Sequence, residues 1–224
     1  MRKQSGFTLI EIAIVLVIIG LLLGGILKGQ ELINSAKVKS LAQDFRNIPI
    51  YIYGYQDKYK ALPGDQTQAK LDAQFPPANT AAACSPAAAN KCVQDNGLID
   101  GTWQATTVAE ESYVLWQHIR LAGLAPGSTD TASASYRPQN AEGGVIGVQS
   151  GVQQPIAGVR GTYVICSGAI LGKFVRQLDL TLDDGDTAKG SMMATPFAGY
   201  AMGAAATATT AIVDADSYIV CMGV

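Results

Sequence analysis

The chain is poor in the groups that usually do chemistry. It has a single histidine, His118, in 224 residues, and its four cysteines contain no CxxC pair. No serine, cysteine and acid arrangement supplies His118 with the partners of a nucleophilic triad, so it reads as a partly buried structural residue. GxSxG and HExxH strings are missing, as is a strand followed by a glycine-rich phosphate loop with Lys and Ser or Thr. The one string that mimics such a loop, Gly24-Gly25-Ile26-Leu27-Lys28-Gly29, lies at the end of a long apolar run. The sequence therefore offers nothing positive for an enzyme. Charge is scarce too: charged residues make up 15% and the net charge is -2. Without a broad basic field, nucleic acid is not an obligatory partner.

What the chain does have is at its start. From Phe7 to Leu27 every residue is apolar, Gly or Thr except Glu11, and a helix of about 20 such residues crosses the hydrocarbon of a bilayer. Arg2 and Lys3 precede the run and only Lys28 closely follows it, which places the N-terminus on the cytoplasmic side. A secretory signal would have a shorter core with a small-residue cleavage site behind it, whereas here the small residue, Gly6, comes first. Glu11 is costly in such a helix, by roughly 2.5–3.5 kcal/mol near the centre and less near an end, and so calls for a partner. A cut after Gly6 would create an amine on Phe7, about one helical turn from Glu11, able to neutralise it in the same subunit or a neighbour.

The string Gly6-Phe7-Thr8-Leu9-Ile10-Glu11 behind a six-residue basic leader resembles the cleavage and methylation signature of type IV pilins and type II secretion pseudopilins. The resemblance implies that a prepilin peptidase cuts after Gly6, that the new N-terminal Phe7 is methylated, and that Glu11 guides assembly. It also implies a long curved helix that packs into a filament core and can locally unwind there. The partners implied are copies of the chain and related pilins, the prepilin peptidase, an inner-membrane assembly platform, and the lipid bilayer before assembly. The implied location is the bacterial inner membrane, single pass with a cytoplasmic N-terminus, and afterwards a periplasmic or extracellular filament.

The helical pattern continues past the membrane. Val38, Leu41, Phe45, Ile48, Ile52, Tyr55 and Tyr59 recur at spacings of three and four, one apolar stripe on one helix. Pro49 should kink it, and Gly20, Gly24, Gly25 and Gly29 weaken the apolar half or allow close helix packing. The Leu62-Pro63-Gly64-Asp65 turn ends it. Residues 62–103 then read as a long surface loop, in which Asp95 to Gly101 has a turn-like spacing that could hold calcium. Thr107 and Glu110 have capping-box spacing for a second helix with Leu115, Ile119 and Ala122 on one face, closed by Gly123 and Pro126. The string Trp116-Gln117-His118-Ile119-Arg120-Leu121-Ala122-Gly123-Leu124 and the Leu62–Asp65 turn resemble segments that recur in a subgroup of pilin-like proteins.

After a polar linker at 128–140, β-like runs at Val145–Gln149, Thr162–Cys166 and Tyr218–Val224 suggest an antiparallel sheet on the long helix. Ile170 to Asp179 has helical spacing. It runs into an acidic turn resembling an aspartate-glycine loop found near the end of many pilin-like domains, some of which bind calcium. Asp179, Asp183, Asp184 and Asp186 are the candidate ligands, although no glutamate closes the loop as in an EF-hand. Gly199 to Ala211, rich in Ala, Gly and Thr, reads as an exposed loop. Cys84, Cys92, Cys166 and Cys221 all lie on the exported side, where an even count reads as disulfides rather than a zinc site. Three pairings are possible; Cys84 with Cys92, and Cys166 with Cys221, are favoured by proximity and by the two β-like segments.

The expectation is an α+β chain: leader 1–6, transmembrane and assembly helix 7–29, amphipathic continuation 30–61, globular pilin-like domain 62–224. Its function would be that of a structural subunit of a type IV pilus-like filament. The alternatives are a minor pseudopilin of a type II secretion system and a membrane-tethered binding or adhesion module.

Overall fold

The computed structural model describes residues 9–76, 80–85 and 91–224. Its dominant element is α1 (Leu9–Tyr59), 51 residues of unbroken helix, about 76 Å long at 1.5 Å per residue. The first half is exposed on all sides, from Leu9 to Ile33. From Val38 onward one face is buried, through Leu41, Ala42, Phe45, Ile48, Ile52 and Tyr55, which is the stripe the 3-and-4 spacing predicts. Helical residues continue straight through Pro49. The helix stops where Lys60 takes a left-handed φ of 56°, ahead of Pro63, which cannot donate to a further turn.

A four-stranded antiparallel sheet packs on α1. Its strands are β1 (Ile146–Ser150), β2 (Tyr163–Leu171), β3 (Met192–Pro196) and β4 (Ser217–Gly223), in the spatial order β1-β2-β4-β3. One face meets α1, α3 (Glu111–Leu121) and α4 (Gly172–Leu182) in the main core, where Phe45, Ile165, Phe174, Leu178 and Val220 come together. The opposite face is buried as well, under loops that bring Trp103, Ile156 and Val159 onto Val164, Cys166, Ile219 and Cys221. Because both faces are covered, β2 reads as a continuous apolar run rather than an alternating one.

The fold is thus α+β and pilin-like, but several boundaries differ from the sequence reading. Ile170 and Leu171 finish β2, so α4 begins only at Gly172. The strand β3 was not expected: it is five residues long, ends in Pro196 and lies at the sheet edge, where a missing N–H is tolerated. The 62–103 loop contains a short helix, α2 (Gln68–Gln74). The second expected helix starts one turn later than the Thr107–Glu110 spacing suggests. Glu110 is itself the N-cap and makes no side-chain capping bond; its carboxylate instead receives the Thr102 N–H and pairs with Lys91. Gly199 to Ala211 is also less free than expected, since Tyr200 packs on Trp103 and Ala206 bridges to Ile156.

Candidate functional site

The feature most suited to function is the bare half of α1. Among the described residues it is the one helix long and apolar enough to cross a membrane. Glu11 sits in its first turn, on an exposed position, where a carboxylate favours the positive end of the helix dipole. Gly6 and Phe7 lie outside the described residues. The domain grips the helix just past the bare stretch: Lys37 Nζ lies 2.7 Å from the Glu142 carboxylate and 5.7 Å from the centre of the Phe174 ring. At the far end Lys58 donates to the Ala122 carbonyl and the Tyr55 hydroxyl to Gln66 Oε1. The result is a rod held along one half and offered, apolar and uncovered, along the other.

Comparison with known families bears on the start of that rod and the residues in front of it. The prokaryotic N-terminal methylation motif matches residues 1–27. The chain carries the signature of type IV pilins and pseudopilins. No curated protein and no solved structure matches it. The motif supports a pilin-type or pseudopilin-type substrate of a prepilin peptidase, and the apolar helix fits a membrane-anchored precursor that is later assembled.

The two internal strings singled out by sequence are fastened to each other. Gly64 N donates to His118 Nδ1 at 2.9 Å, so Nε2 carries the imidazole proton and faces the Ala82 carbonyl at 2.9 Å. The ring is fully buried, and burial pushes its pKa down to about 4, which keeps it neutral and able to accept from Gly64. Asp65 continues the latch by accepting from the N–H groups of Asn96 and Gly97. His118 therefore joins the end of α1, the 80–85 segment and α3; its role is structural. Only glycine suits position 64, where φ is 96° and a Cβ would lie 2.7 Å from the Glu111 carbonyl oxygen. Gly64→Ala should lower stability by about 1–3 kcal/mol, read as a lower thermal midpoint of the detergent-solubilised chain; an unchanged midpoint would mean that the turn yields.

Beside the latch, Glu111 is a buried acid that sequence reading passed over. It has no exposed surface, accepts from Asp100 N–H through Oε2, and places Oε1 3.7 Å from Cys84 Sγ. Burial, with the Asp65 and Asp100 charges behind it, pushes its carboxyl up to about 8. A raised acid stabilises the fold below its unfolded pKa of 4.5, and that stability drains as pH climbs through 8. His118 works oppositely, with stability lost as pH falls from 6.5 toward 4. Asp44 and Asp179, both pushed up to about 6, are already about three-quarters ionised at pH 6.5 and contribute only a few tenths of a kcal/mol beyond it. From pH 6.5 to 8 Glu111 dominates, and the domain should lose roughly 1.5–2 kcal/mol. Thermal melts at the two pH values should show a midpoint lower by a few degrees at pH 8, and Glu111→Gln should flatten the difference.

The cysteines form two disulfides, Cys84–Cys92 and Cys166–Cys221, the second linking opposed residues of β2 and β4. Cys84, Cys92 and Glu111 bring their ligand atoms within 4.8 Å of one another, but both sulfurs are spent in a bond and cannot ligate as thiolates.

The acidic turn does not gather its four aspartates around a common point. Among the described residues, no three of them bring a ligand atom within 4.8 Å of one another. Asp183 accepts from Met192 N–H, Asp184 from Asp186 N–H, and Asp186 from Ala188 N–H while pairing with Lys189. Those oxygens are spent closing the turn. Only Asp179, buried on the packing face of α4, keeps both carboxylate oxygens without a hydrogen bond among the described residues; burial and then the Asp183, Asp184 and Asp186 charges push its carboxyl up to about 6. As arranged, these residues do not fit a calcium ion, which takes six to eight oxygens at 2.3–2.6 Å. The Asp95 to Gly101 string is likewise a turn, with Asp95 on Lys70 and Asp100 accepting from Asn96.

Proposed function

We propose that the chain is a structural subunit of a type IV pilus-like filament, made as a precursor with its N-terminus in the cytoplasm. In this reading residues 1–6 are removed by prepilin peptidase, Phe7 is N-methylated, residues 7–29 cross the membrane, residues 30–61 continue the helix, and residues 62–224 form the exported domain. The observation that carries the reading is the uncovered apolar half of α1, continuous with a domain-packed half and lying largely within the methylation motif. Once outside lipid such a surface must be buried again, at roughly 25 cal/mol per Å², and like helices in a bundle provide that surface. Within the bundle the Glu11 carboxylate meets the Phe7 amine of a neighbour, since an unpaired charge in an apolar core costs several kcal/mol.

Mass spectrometry of the chain recovered from its native membrane tests the processing: the mature N-terminus should be a methylated Phe7, and any other terminus overturns it. Electron microscopy of sheared cell-surface material, probed for this chain, tests the assembly. Labelled filaments support the pilus, whereas periplasmic retention favours a secretion pseudopilus.

A further inference from the structure

Between α1, α3 and the 125–139 segment lies a cavity of about 380 Å³, within the range of roughly 300–1,000 Å³ typical of small-ligand sites. Its polar lining includes Asp44, Asn47 and Tyr51 on α1, Trp116 and Arg120 on α3, and Arg137. Among the described residues, the side chains of Asp44, Asn47, Tyr51 and Arg137 and the indole N–H of Trp116 make no hydrogen bond, and Arg120 keeps Nη2 in the same condition. Ile48, Ala125 and Ile146 supply apolar wall.

Arg120 is the centre of the site. It is only 8% exposed, yet none of the described residues gives it an ion pair. Its Nε donates to the Pro126 carbonyl and its Nη1 to those of Ser128 and Tyr136, while the guanidinium lies over the Trp116 and Tyr136 rings at 5.8 and 5.2 Å. The loop is moulded onto it: at Gly127, where φ is 122°, a Cβ would stand 2.7 Å from Arg120 Nε. The cation is thus fixed in orientation, desolvated and left without a counter-charge, and an anion is what such a group lacks. Arg137 adds a second positive charge. On the same lining Asp44 accepts no hydrogen bond from the described residues, and burial pushes its carboxyl up to about 6. A plain carboxylate would satisfy the guanidiniums and leave Asp44 and Asn47 unserved, whereas hydroxyl groups serve both.

We propose that this cavity binds a hydroxylated carboxylate of the acidic-sugar class, its carboxylate on Arg120 and Arg137 and its hydroxyls on Asp44 and Asn47. The chain contains two tryptophans, which makes the test internal. Trp103 Nε1 already donates to the Tyr200 hydroxyl at 3.0 Å, so its indole resonance serves as the control for that of Trp116. The full chain, ¹⁵N-labelled in a detergent without a sugar headgroup, is titrated with glucuronate and separately with glucose. Millimolar glucuronate should shift the Trp116 indole N–H saturably and leave Trp103 in place, with glucose much weaker. Arg137→Gln, which removes no hydrogen bond among the described residues, should weaken binding about tenfold at an unchanged unfolding midpoint. Should that midpoint move, Asn47→Ala takes its place, with a several-fold loss expected. An immobile Trp116 signal, an equal response to glucose, or wild-type affinity in the folded variant would overturn the proposal.

Discussion

Cells producing only the Glu11→Ala variant should insert it in the membrane and remove its leader normally, yet incorporate it into filaments at least about tenfold less. The expectation follows from where the charge goes. Glu11 lies in the first turn of α1, which in the proposed membrane-anchored precursor would sit near the interface, where an acidic group costs less than at the centre. In a bundle of apolar helices both Glu11 and the Phe7 amine are far from water. Removing one strands the other, and breaking a buried pair costs on the order of 3–5 kcal/mol, against about 1.4 kcal/mol for each factor of ten. Quantifying the chain in sheared filaments against the chain in membranes checks it. Equal ratios for wild type and variant would refute the pairing, while a loss of cleavage would mean that Glu11 acts earlier, on the peptidase.

The second large effect belongs to the other half of the same helix. Phe45 is 1% exposed and stands mid-stripe, in the cluster that joins α1 to the sheet and α4. Phe45→Ala deletes a ring from a close-packed core and should cost about 3–5 kcal/mol, a large share of the 5–15 kcal/mol expected of a domain. Near-ultraviolet circular dichroism in micelles is the appropriate readout, because the bare apolar half of α1 will stay helical in detergent whatever the domain does. A drop in the midpoint of many degrees is expected; a midpoint within two degrees of wild type would show that the stripe carries little of the core.

The long helix was legible because its signals are redundant: an apolar run, then a stripe of fixed period from Val38 to Tyr59, closed by proline and glycine. The sheet was legible only in part. Val145–Gln149 and Tyr218–Val224 matched β1 and β4 closely, whereas β3 escaped because Met192–Pro196 is short and buried on both faces, and so shows no alternation. At Ile170 and Leu171 the apolar spacing fits helix and strand equally, and pairing with Tyr218 and Ser217 of β4 decided for strand. The site divides in the same way. Glu11 and the motif around it are a local string and could be read directly. The Glu111 acid and the Arg120 cavity come from residues of ordinary local context, made unusual by what a distant segment places beside them; His118, read as partly buried, is fully buried, and its bond to Gly64 spans 54 positions.

The grip on α1 has a mechanical meaning. Residues 9–33 form a bare arm of about 37 Å, and the nearest fastening is Lys37, held by Glu142 and lying over Phe174. A rod clamped along one half and loaded on the other behaves as a lever, with its greatest bending moment at the first clamp. Tension along a filament of such subunits would therefore concentrate near Lys37 and Val38, a few residues beyond Gly29, and that short collar sets how much load the domain can bear before it peels from its own helix.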